Sequence, residues 1–449
     1  MVTLCERSAT MTMEPELSRR ADENPMRRGP VVLATDGTAR GGAAVVAAQL
    51  IAARLGLPLE VVAVLEPTPI FSAAPEIVVV SDPSIDEARR QACETTVTDY
   101  VCRFSGGAPP PRVHVRFGGV AAEVSRFARE LSATMVVLGS APHRRFRHMA
   151  SGDRAAQVLH SARCPVLSVP PSFTVLPHTV IAAVDFGPAS VRAAQAALLV
   201  VADGGTVLLT HALAPLLVHP SALSTIPEAD PGAEADALFD RVREELIPFA
   251  PPNVKLETGL ITDDATEGII SSAAHAGADL IAVGTHGGNF LSRLLLGSVA
   301  ESVVHHAKQA VLVSPPPSPG ESLELWRRVT GATSSSREQE WAAALDEFTR
   351  RNAGRPVMLE ADEPESGAHV TSHGYSLMGV TYEPSAHRVE IMMGDPSRPL
   401  QHLTRSVVNP DAITMTVTPA DDGETLDIRH GHGHTIAIVT TVAPSSAPA

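Results

Sequence analysis

The sequence predicts an α/β protein: two tandem, doubly wound parallel-sheet domains, followed by a small C-terminal α+β domain with an antiparallel sheet. Three observations carry this expectation. Residues 133–171 lie over residues 278–316 without a gap, and residues 31–67 match residues 180–215, so one domain is written twice. Within each copy, short runs of Val, Ile, Leu and Ala alternate with longer stretches of helical periodicity. Past residue 355 the pattern changes to short strands broken by Gly, Pro, Asp and Asn.

In the second copy, strands are expected at 179–184, 206–212, 254–258, 279–283 and 310–314. Their residues are almost all apolar, as in a parallel sheet covered on both faces. Helices at about 189–202, 231–248, 266–276 and 297–307 separate them. After "SPPPSPGES" an amphipathic helix is expected at about 336–353, then strands in "PVMLEAD", "SLMGVTYEP", "RVEIMMGD", "AITMTVTP", "ETLDIRH" and "TIAIVTTV". The expected division is a disordered tail at 1–28, a first copy at 29–171, a second at 177–316, a linker at 317–333 and a C-terminal domain at 334–443.

Composition narrows the function. The 449 residues carry a formal charge of −15, which repels a phosphate backbone and argues against a nucleic-acid partner. With 44% hydrophobic residues, no stretch approaches the roughly 20 apolar residues of a membrane span. The N-terminal stretch has mixed charge and no apolar core, so it does not read as a secretory signal. Four cysteines show no CxxC spacing and suit a reducing compartment, taken as the cytoplasm.

The chemistry gathers at "GTHGGNFLSRLLLGS", residues 284–298, a strand-to-helix crossover with glycines at both mouths. Bare backbone amides, the positive end of a helix and the hydroxyl of Ser298 together suit a phosphate. Asp185 closes the first strand of the same copy, on the side of the sheet where such folds bind ligands. For Asp185 a turn or helix cap is the competing role. His211, His286, His305 and His306 lack metal-site spacing and read as packing or solvent-facing groups.

Gly284, Gly287, Gly297 and Ser298 reproduce the pattern G-x2-G-x9-G-[ST], and with Asp185 the copy resembles a universal stress protein domain of the ATP-binding type. The resemblance spans about residues 29–316. It implies that the aspartate and its neighbouring main chain hold adenosine, that a residue ending the second strand meets adenine, and that the glycine loop cradles the phosphates. Carried over, these roles fall on Val184, Asp185, Ala212, Gly284, Gly287, Gly297, Ser298 and Val299, with ATP as the ligand and Mg²⁺ as a candidate companion. Ala212 is smaller than the residue the family usually has there. The resemblance also implies that the last strands of the two copies pair within the chain, leaving a homodimer and an unnamed protein partner open. In the first copy, Pro142 stands in place of Gly287 and Asp153 in place of Ser298. Proline has no N–H, and a carboxylate at a helix N-terminus repels phosphate, so that copy is expected to be degenerate.

The expected function is that of an ATP-binding regulatory or stress-response protein. A slow ATPase or phosphotransferase, and a scaffold that has lost nucleotide binding, are the alternatives. The loop has no P-loop lysine and no evident base, which favours binding over turnover. The C-terminal stretches "GYSLMGVTYEP" and "VEIMMGDPSRPLQHLTR" resemble a domain family of unknown function. "RHGHGHT" would put His430, His432 and His434 on one face if extended, although Gly-His alternation equally suits a tight hairpin.

Overall fold

The computed structural model describes residues 26, 28–38, 41–66, 83–104, 110–140, 154–213, 231–285, 297–331, 336–363, 367–383, 387–395, 398–418, 423–431 and 433–439. They fall into two compact units, one holding both copies of the repeat up to Pro315 and the other beginning at Pro316.

In the first copy, β1 (Val31–Ala34), α1 (Gly42–Leu55), β2 (Leu59–Leu65), α2 (Pro83–Cys102), β3 (Arg112–Phe117), α3 (Val120–Glu130), β4 (Met135–Gly139), α4 (Arg154–Ser161) and β5 (Val166–Val169) alternate strand and helix. The second copy repeats the order with β6 (Thr179–Ala183), α5 (Pro188–Val200), β7 (Thr206–Ala212), α6 (Pro231–Leu246), β8 (Lys255–Ile261), α7 (Ala265–His275), β9 (Leu280–Gly284), α8 (Ser298–His306) and β10 (Ala310–Ser314). Strand β8 runs three residues beyond the expected 254–258, because Gly259, Leu260 and Ile261 continue the ladder beside Thr210, His211 and Ala212.

Among the described residues these strands make a ten-stranded sheet in the order β3-β2-β1-β4-β5-β10-β9-β6-β7-β8. Pairing is parallel within each copy and antiparallel where the copies meet, with Leu312 opposite Leu167 and Val311 opposite Ser168. The expected pairing of the last strands is therefore present. It removes two sheet edges that would otherwise expose unpaired N–H and C=O groups. One apolar cluster runs through both copies, from Val32, Phe127 and Val166 to Ile181, Ile281 and Val313. Helix α5 is buried on all sides, which explains its sequence of Ala, Val and Leu with little polar face. No helix among the described residues is long and apolar enough to cross a membrane.

The second unit holds α9 (Pro319–Thr330), α10 (Ser336–Asn352), β11 (Pro356–Glu363), β12 (Gly367–Glu383), β13 (Arg388–Asp395), β14 (Arg398–Val408), β15 (Pro410–Thr418), β16 (Gly423–His430) and β17 (Gly433–Val439). Helix α9 lies inside the stretch expected as linker. Its start is a capping box in which the Glu321 carboxylate accepts from the Ser318 amide at 3.1 Å and the Ser318 side chain meets the third helical amide. Strand β14 is absent from the sequence expectation. Among the described residues it pairs only with β13 and leaves Leu403 and Val408 exposed, so an edge position weakens the apolar alternation that marks a strand. The antiparallel sheet runs β14-β13-β12-β11-β17-β16-β15 and packs Trp341, Leu345 and Phe348 of α10 against Tyr382, Ile391 and Ile428. Because this unit has its own core, a fragment spanning residues 316–449 should unfold cooperatively in urea and show near-ultraviolet dichroism. A fragment without a transition would place the boundary elsewhere.

An ion pair ties α10 to the sheet. The Arg351 guanidinium donates to both Glu424 oxygens at 2.8 and 2.9 Å, and the Asn352 side chain donates to Glu424 Oε2 at 3.0 Å. The Arg351 hydrogen bonds hold the buried Glu424 carboxyl below its ordinary value of 4.5. Stability from this pair is thus fully present above about pH 4.5 and is lost as pH falls through the lowered pKa. Glu424→Gln should cost about 1–3 kcal/mol at pH 7. The gap between wild type and variant should narrow as pH falls below about 4.5 in urea titrations; a constant gap would assign the loss to packing.

Candidate functional site

Strand order reverses between β6 and β9, which are neighbours although three helices separate them in sequence. Ligands of doubly wound sheets bind beyond the carboxyl ends of strands at such a reversal. Asp185 follows β6, and Thr285 and Gly297, the described ends of the glycine crossover, are joined just beyond β9, so both lie at the carboxyl ends of neighbouring strands.

Asp185 sits in a tightly bonded turn. Its Oδ1 accepts from the Gly187 amide at 2.9 Å and from the Ser190 hydroxyl at 2.5 Å, while its own amide donates to Ser190 Oγ at 3.2 Å. The competing cap role is therefore real, and the same bonds fix the carboxylate in orientation. Val184 is buried, and both of its backbone polar groups are engaged. Its amide donates to the Thr210 carbonyl at 2.8 Å and its carbonyl accepts from His211 Nδ1 at 2.8 Å. What Val184 does here is hold Asp185 against β7.

Gly284 has a packing reason to be glycine. A Cβ there would stand 2.7 Å from the backbone of both Ala189 and Ser190, because the first turn of α5 crosses the end of β9. Gly284, Ser190 and Asp185 thus form a mechanical chain from β9 to the carboxylate. The next residue, Thr285, donates its amide to the Ser314 carbonyl at 2.9 Å, and its carbonyl accepts from the Gly297 amide at 2.5 Å. That bond closes the base of the crossover and occupies the N–H of Gly297. Among the described residues helix α8 then opens with no side-chain cap, and its first turn holds the amides of Ser298, Val299 and Ala300. Val299 and Ala212 are half-buried against the same apolar cluster, which makes them floor residues of the crevice. Gly287 lies outside the described residues, as does the side chain of Ser298.

Three residues that sequence reasoning did not place in the site belong to its wall. Ser190 clamps Asp185. Phe186 is buried with φ at +64°, a region costly for a bulky side chain, and its ring lies 4.5 Å from that of His211 and 5.3 Å from that of Phe239. His211, expected to pack or face solvent, packs on the Phe186 ring and also reaches from the end of β7 to the Val184 carbonyl. The available signal was the internal repeat: Gly37, with φ at +71°, occupies the position of Phe186 in the first copy, and Gly41 that of Ser190.

The first copy keeps the turn without the clamp. Asp36 Oδ1 accepts from the Thr38 amide at 2.9 Å, but glycine at position 41 provides no hydroxyl and Asp36 is exposed. Pro142, Gly152 and Asp153 lie outside the described residues. In the C-terminal unit, "RHGHGHT" is a hairpin. His430 pairs with Gly433 and Arg429 with His434, so His430 and His434 point to opposite faces of the sheet. The one-face arrangement of an extended stretch does not form, because the chain reverses at Gly431, whose φ is +56°. His432 lies outside the described residues. Among the described residues no group of three His, Cys, Asp or Glu could hold a metal ion.

The fold and the site define a tandem α/β protein in which the Asp185 turn and the N-terminus of α8 lie beyond the carboxyl ends of neighbouring strands β6 and β9. The sequence profile of the universal stress protein family matches residues 28–170 and 177–315, and the chain belongs to that family. A family of unknown function, DUF5335, matches residues 333–449. A universal stress protein of Mycobacterium tuberculosis is 27% identical over 189 residues, or 40% of this chain. The match spans 62% of that relative's length. Among solved structures, a universal stress protein from Archaeoglobus fulgidus is 18% identical, with a TM-score of 0.46, covering 65% of this chain and 98% of its own. A second Archaeoglobus fulgidus universal stress protein, solved in complex with dAMP, is 21% identical with a TM-score of 0.22, covering 32% of this chain and 98% of its own.

Proposed function

We propose that this protein is a nucleotide-dependent regulatory or stress-response protein that binds ATP at the crevice of its second copy. The observation that carries the reading is the convergence at the β6/β9 reversal of an oriented Asp185 carboxylate and the uncapped N-terminus of α8. The α8 amides and helix dipole suit the phosphates, while Asp185 suits a ribose hydroxyl, which a carboxylate accepts from. Gly284 and Gly297 act on the ligand indirectly, by letting α5 approach and by closing the crossover. Ser298, Val299 and Gly287 are the proposed phosphate contacts. Mg²⁺ would accompany the phosphates. The output is a change in partner binding rather than a product, and the action is proposed for the cytoplasm.

The test is calorimetric titration of ATP into the freshly purified full chain, alongside an assay for released phosphate. Close to one site per chain is expected, with turnover far below the roughly 1–100 per second of kinases. Turnover of several per second that disappears in Asp185→Ala would make the protein an enzyme. No heat and no retained nucleotide would leave the family fold without this ligand.

A further inference from the structure

We propose that β3, the edge strand of the first copy, is a docking strand for an extended partner segment in which acidic and apolar residues alternate. The ten-stranded sheet ends on β3 and on β8, and the two ends are built differently. Strand β8 buries Leu256, Gly259 and Ile261, whereas no residue of β3 is buried. Phe117 at the end of β3 is 39% exposed and Ile85 at the start of α2 is 55% exposed, while β8 carries no exposed large apolar side chain. Gly118 donates its amide to the Leu65 carbonyl at 3.1 Å, so by alternation along a parallel ladder His114 and Arg116 bond inward to β2. The amides and carbonyls of Val113, Val115 and Phe117 point outward, and among the described residues nothing bonds them.

The side chains of this edge divide by face. His114 and Arg116 lie on the Phe127 ring of α3, at 4.7 Å and 5.2 Å, and Arg112 shares their face by the period of two. Val113, Val115 and Phe117 take the opposite face, where Arg89 of α2 sits 5.9 Å from the Phe117 ring. Glu60 steadies His114 at 2.8 Å and Glu130 steadies Arg116 at 2.5 Å, whereas Arg112 is exposed with no ionic partner among the described residues. One face of the strand is thus basic at every position and the other apolar at every position. Two-fold pairing with a second copy about His114 would set Arg112 opposite Arg116, and about Val115 would set His114 opposite Arg116. Like charges directly opposite are destabilising, which disfavours a second copy as the occupant. A strand with Glu or Asp at alternate positions meets each cation with its opposite, its intervening apolar residues extend the stripe from Val113 to Phe117, and the main-chain bonds supply affinity. The formal charge of −15 repels an acidic segment from the rest of the surface, so recognition is local to this edge.

The experiment titrates the full chain into two fluorescein-labelled peptides, one of alternating Glu and Val and one of alternating Lys and Val, and reads anisotropy. Wild type should bind the acidic peptide at least about tenfold more tightly than the basic one, since the cross-strand charge pairs change sign between them. Methylating every second backbone nitrogen of the acidic peptide should abolish binding in one phase and spare it in the other, because only alternate amides face β3. Val115→Pro deletes one outward amide, and proline is tolerated on an edge strand where the N–H faces solvent, so this variant should unfold as wild type does and bind the acidic peptide about tenfold more weakly. Arg112→Glu, at an exposed position, should reduce or reverse the preference for the acidic peptide, and it keeps the test decisive if the proline variant fails to fold. In the free protein the amides of Val113, Val115 and Phe117 should exchange rapidly with deuterium. Protection of those amides would mean that the edge is already covered, and a dimer in sedimentation that Val115→Pro dissociates would make the occupant a second copy. Either result overturns the proposal, as does a wild type that binds neither peptide or binds both equally.

Discussion

Replacing Ser298 with Asp should take ATP binding below detection in a titration that reads the wild type. The residue is the first of helix α8, at the uncapped end where unpaired amides and the helix dipole favour an anion by about 0.3–2 kcal/mol. A carboxylate there takes that favourable position for itself. It also places a like charge near the phosphates, worth about 4 kcal/mol at 4 Å and an effective dielectric constant of 20. Together these exceed a thousandfold in affinity, taking about 1.4 kcal/mol per tenfold. Asp153→Ala, in the first copy, should leave both affinity and the stoichiometry of about one site per chain unchanged. Two equivalent sites in the wild type, or binding that survives Ser298→Asp, would remove the phosphate role from this helix end.

Gly284→Ala should destabilise the repeat unit and weaken the site together. The added methyl would meet the backbone of Ala189 and Ser190 at 2.7 Å, and neither can move without displacing the first turn of α5. Overpacking of this kind costs about 1–3 kcal/mol, and each kcal/mol lowers the melting temperature by about 2–4 °C in a unit of this size. Because Ser190 clamps Asp185, the same displacement should loosen the carboxylate and lower ATP affinity. Ser190→Ala separates the two effects. It removes the 2.5 Å bond to Asp185 without adding volume, so affinity should fall while stability changes by about 1 kcal/mol. A Gly284→Ala protein within about 0.5 kcal/mol of wild type would show that α5 yields freely and that the close approach is not a constraint.

The limits of sequence reasoning show at particular residues. Strand β14 escaped because an edge strand with Pro399 near its start and exposed Leu403 and Val408 lacks the alternation that two-sided pairing imposes. Helix α9 escaped although "SPGE" is a capping box, because the surrounding prolines read as linker. Asp185 was identified, yet its clamp was not, since Ser190 is joined to it only once the chain turns into α5.

By itself the sequence determined the duplicated α/β architecture, the order of its elements and the residues that merit attention as a site. It could do so because periodicity, repeat and glycine spacing are local properties carried along the chain. The tertiary structure alone decided which backbone groups are already occupied, namely both of Val184 and the amide of Gly297. It also decided that Gly284 serves the approach of α5, that His211 turns toward Val184, and that His430 and His434 part to opposite faces. Each of these depends on which segments approach one another in space, and a hydrogen bond or a 2.7 Å clash between distant residues leaves no periodic trace in either segment.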